Sequence, residues 1–164
     1  MISTRKVEKP EQEIQKANIL IEALPYMQSY RDKTILIKFG GSAMDDPELV
    51  KSLMRDIVVM EAMGLNPVVV HGGGKAISKA MQEAGLEARF VNGLRVTTPE
   101  AVSIVERTLT GTINPGLVEM VRDCGGKAVG ISGTNVFVGE KLVEKDADGN
   151  ALDIGMVGRV VGTQ

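Results

Sequence analysis

The sequence predicts an α/β fold, a three-layer αβα sandwich with a mainly parallel central sheet. Two apolar runs, Ile35-Leu36-Ile37 and Val68-Val69-Val70, lack polar alternation. Such runs are expected of strands buried on both faces of a parallel sheet. Each run ends in glycines, Gly40-Gly41 and Gly72-Gly73-Gly74. A stretch with helical spacing follows each, and strand–helix–strand–helix order implies right-handed crossovers between parallel strands.

Taken in order, residues 1–32 read as an amino-terminal arm and 33–164 as the domain proper. Pro10 opens a helix with Glu11 and Glu13 in its first turn, where carboxylates oppose the helix dipole favourably. Ile14, Ala17, Ile21 and Leu24 recur along it, and Pro25 predicts a kink or interruption. This helix packs either on its own domain or on another subunit. After the first strand, Asp46 is an N-cap, Pro47 the first helical residue and Gly64 the stop. Leu49, Leu53, Ile57 and Met60 mark that helix's inner face. A strand over 67–71 follows, then a helix from Lys75 to Ala84 that stops at Gly85.

Residues 87–91 predict a short strand, Asn92-Gly93 a turn, and Leu94–Thr97 a second extended piece. Thr98, Pro99 and Glu100 open a further helix. Gly111–Pro115 should break it, Leu117–Val121 resume it, and Gly125-Gly126 end it. Lys127–Ser132 reads as a buried strand. The tail, 136–161, alternates as short antiparallel strands do, with turns at Gly139-Glu140 and Asp148-Gly149-Asn150.

Composition narrows the function. Of 164 residues, 43% are apolar and 24% charged, as in a soluble globular domain. A net charge of -2 offers no basic excess for nucleic acid, and 3% aromatic content without Trp offers no stacking platform. No apolar run reaches membrane-spanning length, and the amino terminus has no signal-peptide core. Cys124 is alone, which excludes an intramolecular disulfide and points to a reducing, cytoplasmic setting.

The glycine loops place clustered backbone amides at the carboxyl edge of the sheet, where α/β sheets bind ligands. Amides there suit anions, above all phosphate. Lys38 adds a positive charge beside Gly40 and Gly41. Read alone, the loops specify an anion site or merely tight turns. Gly72-Gly73-Gly74-Lys75 is not a P-loop, because Val69 and Ala76 stand where a glycine and a Ser or Thr are required. Ile77 likewise breaks a dinucleotide fingerprint. Asp146–Asn150 lacks the glycine and glutamate positions of a calcium loop. His71 has no companion ligand, so a packed or hydrogen-bonded histidine is expected and no metal site.

Together, Lys38-Phe39-Gly40-Gly41-Ser42-Ala43-Met44, His71-Gly72-Gly73-Gly74 and Asn92-Gly93-Leu94-Arg95-Val96-Thr97 resemble, in order and spacing, three signatures of the N-acetylglutamate kinases of the amino acid kinase superfamily. Gly130-Ile131-Ser132-Gly133 and Val157-Gly158 resemble later landmarks. The resemblance covers residues 14–164. It implies an amino acid kinase-like fold and phosphorylation of the side-chain carboxylate of N-acetyl-L-glutamate by ATP, a step of arginine synthesis. It implies that Lys38 stabilises the transferring phosphoryl group, that Gly40 and Gly41 bind phosphate, and that Gly73, Gly74 and Arg95 bind substrate. ATP with Mg2+ would be held mainly by a second, carboxyl-terminal lobe, leaving this chain the expected amino-terminal substrate lobe, inactive alone. It further implies a homo-oligomer, either a dimer through the helix around 99–110 or a hexamer that also uses the amino-terminal helix. Ser42 and Lys75 depart from the residues the family often has, Asn and Pro. Other readings are an aspartate- or aminoadipate-type carboxylate kinase, or a non-catalytic amino-acid-binding module.

Overall fold

The computed structural model describes residues 10–145 and 148–164, and of Asn135 the backbone only. Helix α1 (Pro10–Tyr30) leads into strand β1 (Thr34–Phe39). A 3₁₀ turn (Gly41–Asp45) and helix α2 (Pro47–Ala62) connect β1 to β2 (Asn66–His71). The two strands pair in parallel with Lys38 opposite Val70 and Phe39 opposite His71. Asp46 caps α2 as its sequence predicts, its side chain accepting from the amides of Glu48 and Leu49. Phe39, Val50, Met54, Ile57 and Val121 form the core between the strand pair, α2 and a later helix. Turning Phe39 inward sets the glycine loop behind it at the edge of this core.

Helix α3 (Gly74–Glu83) springs from the second glycine loop. A hairpin of β3 (Phe90–Val91) and β4 (Leu94–Arg95) follows, turning through Asn92 and Gly93 at positive φ. Helix α4 (Pro99–Thr108) packs on α3 through Ile77, Met81, Ala101 and Ile104. Then come α5 (Asn114–Asp123) and an antiparallel tail. In it β5 (Phe137–Lys141) pairs with β8 (Gly158–Thr163), and β6 (Glu144–Lys145) with β7 (Ala151–Leu152). Among the described residues no helix is long and apolar enough to cross a membrane.

Five local expectations need correction. Helix α1 is not interrupted at Pro25 but runs on as one element, and none of its residues is buried; the carbonyl that Pro25 leaves unbonded lies on a solvent-facing helix, where water can serve it. Gly111–Pro115 does not break the chain's helical course. A π turn (Leu109–Ile113) joins α4 to α5, with the Asn114 amide donating to the Leu109 carbonyl. Its extra residue falls just before Pro115, whose missing N–H an unbroken α-helix would tolerate poorly. Gly139-Glu140 is not a turn but lies inside β5, at a register shift against β8. Residues 127–132 form no strand. A gap of about 410 Å³ lies between Val68 and Val69 of β2 and the segment Lys127–Val129, so no ladder forms. Lastly, the β1–β2 pair is covered on one face only: Leu36, Val68 and Val70 are exposed by 68%, 45% and 50%.

Candidate functional site

A cleft of about 740 Å³ opens where the two glycine loops meet. Gly41 of the first loop, Gly73 and Gly74 of the second, and Arg95 of β4 all line it. The loops are stitched together behind it by the Gly72 amide donating to the Phe39 carbonyl at 3.0 Å. Gly40 lies at that seam, a Cβ on it meeting Gly72 at 3.7 Å. Gly41 takes φ +65°, a left-handed turn that sends the chain into the 3₁₀ segment. Gly73 packs so closely that a Cβ would press on Ile113 and Leu109 of the π turn. Gly74 faces open space, so the cleft approaches its backbone directly. No side chain caps α3, which leaves its first-turn amides for an anion.

Arg95 is fixed from several sides. Its Nη2 donates to the Gly74 carbonyl at 3.0 Å and to Ser78 Oγ at 2.8 Å. Nη1 reaches Met81 Sδ at 3.6 Å, and the guanidinium lies 4.7 Å from the centre of the Phe90 ring. An N–H on Nε and one on Nη1 remain for a ligand. Lys75, at the start of α3, pairs with Asp45 of the 3₁₀ turn at 2.7 Å and also lines the cleft.

Lys38 is set apart. It alternates with inward-facing Ile37 and Phe39 and so shares the uncovered sheet face with Leu36 and its partner Val70. His71 is hydrogen-bonded, its Nε2 lying 3.3 Å from Asn114 Nδ2. Among the described residues no three His, Cys, Asp or Glu side chains gather where they could hold a metal ion. Sequence reasoning missed Asp45, Ser78 and Phe90. Ser78 was findable, since it stands one helical turn beyond Gly74; Asp45 and Phe90 reach the cleft only through tertiary folding.

The profile of the amino acid kinase family matches residues 33–157. The chain belongs to that family. An acetylglutamate kinase of Akkermansia muciniphila is 74% identical over 149 residues, covering 91% of this chain and 50% of the relative. One from Thermoanaerobacter pseudethanolicus is 48% identical over 149 residues, covering 91% and 48%. The chain thus spans about half the length of the curated relatives it matches. Among solved structures, smu.665 of Streptococcus mutans UA159 superposes with a TM-score of 0.66 at 29% identity, covering 80% of this chain and 51% of that one. An N-acetylglutamate synthase of Neisseria gonorrhoeae, complexed with coenzyme A and N-acetyl-glutamate, gives 0.67 at 19% identity, covering 88% and 32%, which speaks for the α/β fold alone.

Proposed function

We propose that this chain is the N-acetyl-L-glutamate-binding lobe of an acetylglutamate kinase, with residues 1–32 an arm and 33–164 the lobe. The observation that carries the reading is the convergence of Arg95, Gly73 and Gly74 with Gly41 on one cleft. The names of the relatives at 74% and 48% identity agree with it.

The chemistry suits the residues. A side-chain carboxylate is ionised at neutral pH, so it attacks phosphorus without a general base. Catalysis then rests on positioning and on neutralising charge around the transferring phosphoryl group. Arg95 would hold the substrate's α-carboxylate through charge-assisted hydrogen bonds. Gly73 and Gly74 would offer amides to the same molecule, and Gly40 and Gly41 to phosphoryl oxygens. ATP supplies that phosphoryl group when bound, with Mg2+ on its phosphates. Lys38 would meet the moving charge from the strand end. The active protein would be a cytoplasmic homo-oligomer, built through α4 and the exposed arm α1.

Calorimetric titration with N-acetyl-L-glutamate tests this. Saturable binding by the chain is expected, with Arg95→Ala weakening it at least about tenfold, the scale of a lost charge-assisted pair. Equal binding by the variant would remove Arg95 from the site.

A further inference from the structure

Among the described residues, three charged side chains line the cleft: Arg95, Lys75 and Asp45. A dicarboxylate brings two negative charges, and Arg95 accounts for one. Lys75, the residue after Gly74, lines the same cleft and joins the start of α3 to the Gly41–Asp45 turn. Its ammonium bonds Asp45 Oδ2 at 2.7 Å, yet the side chain is 79% exposed. An ammonium has three donors, so one contact with Asp45 leaves capacity for a second acceptor. Lys38, by contrast, does not line the cleft.

We propose that Lys75 is a second cationic contact for the bound dicarboxylate, and that Asp45 is the partner its ammonium rests on until the anion arrives. This rests on the substrate-lobe reading above. Arg95 grips one carboxylate and Lys75 meets the other anionic end, beside the loop offered to phosphate. Asp45 is only the resting partner of that ammonium, and its own negative charge opposes the ligand.

Titration of N-acetyl-L-glutamate into the wild-type chain and into Lys75→Met, Lys75→Arg, Asp45→Asn and Arg95→Ala tests it. Lys75→Met should weaken binding about threefold to fivefold, as an exposed charge pair allows, and should flatten its dependence on salt. Lys75→Arg should restore affinity. Asp45→Asn breaks the same ion pair but keeps the cation, so it should bind at least as well as wild type. If Asp45→Asn loses as much as Lys75→Met, the pair only braces the loop and the proposal is overturned. Unchanged affinity and salt slope in Lys75→Met, with binding still lost in Arg95→Ala, overturns it while the substrate reading stands. Absence of binding by the folded wild-type chain overturns both.

Discussion

Gly155 takes φ +74°, and a Cβ on it would run into the Thr97 carbonyl. Around it Thr97 donates to the Ile154 carbonyl at 3.1 Å, and Met156 donates back to Thr97 at 2.6 Å. The fully buried Ile154 anchors the turn. This junction ties the antiparallel tail to the strand two residues beyond Arg95. A Cβ at Gly155 meets both strain and backbone, so Gly155→Ala should cost more than about 2 kcal/mol in urea unfolding. Gly41→Ala has the same sign of φ but nothing within 4 Å of its Cβ, and should cost only about 1 kcal/mol. Similar losses at both positions would show that conformation, not contact, decides. Asp153 supports the same turn by accepting from the Gly155 amide at 3.0 Å, and Lys141 lies 3.5 Å away. The amide first and then the lysine hold its carboxyl below the usual range. A lowered folded-state value stabilises above the ordinary aspartate pKa of about 3.9 and is lost as pH falls through the lowered one. The melting-temperature gap between wild type and Asp153→Asn should therefore be present at neutral pH and close in strong acid. A gap unchanged by pH would exclude the carboxylate as its source. The sequence announces Gly41 by its place after a strand and a lysine. It is silent on Gly155, because the need for glycine arises from a chain segment 58 residues away in sequence, at Thr97.

Caps and periodicities were legible because they are local. Asp46-Pro47 and Thr98-Pro99 start helices where read, and Gly64, Gly85 and Gly125 end them at positive φ. What local signals mis-stated was the π turn. Gly111 and Pro115 are breakers by propensity, yet Leu109 and Ile113 of that turn pack over Gly73 and hold the helical course. The amino-terminal helix shows the reverse case, an apolar stripe left largely exposed. Ile14, Ile19, Leu20, Ile21 and Leu24 are all exposed. Since no residue of α1 is fully buried, removing residues 1–29 should leave the unfolding free energy of the remainder within about 1 kcal/mol. The same truncation should lower the chain's association state in sedimentation, because an apolar helical face this size is an interaction surface. A large loss of stability would place α1 on its own domain instead.

At the scale of the whole chain, the parallel order of β1 and β2, the crossover through α2 and the meeting of both glycine loops followed from pattern alone. The sheet's width did not. Apolar runs at 35–37 and 68–70 read as strands buried on both sides, and 127–132 as a short buried strand, but a strand needs a ladder and a cover. Only one face of β1 and β2 is covered, and Val129 and Ile131 stand exposed across the gap from β2. Continuous hydrophobicity therefore records the environment for which a strand is suited, beyond what this chain's described residues provide. The physical consequence is an apolar surface of Leu36, Val68 and Val70 on the uncovered face, with Val129 and Ile131 also exposed. Surfaces of this kind drive association. A dye that fluoresces on apolar surfaces should bind the wild-type chain. Leu36→Ser with Val68→Thr should reduce that signal and slow concentration-dependent aggregation, with little loss in urea unfolding, because neither side chain is in the core. If instead the double variant unfolds far more readily, the face is packed in solution and the sheet is already covered there.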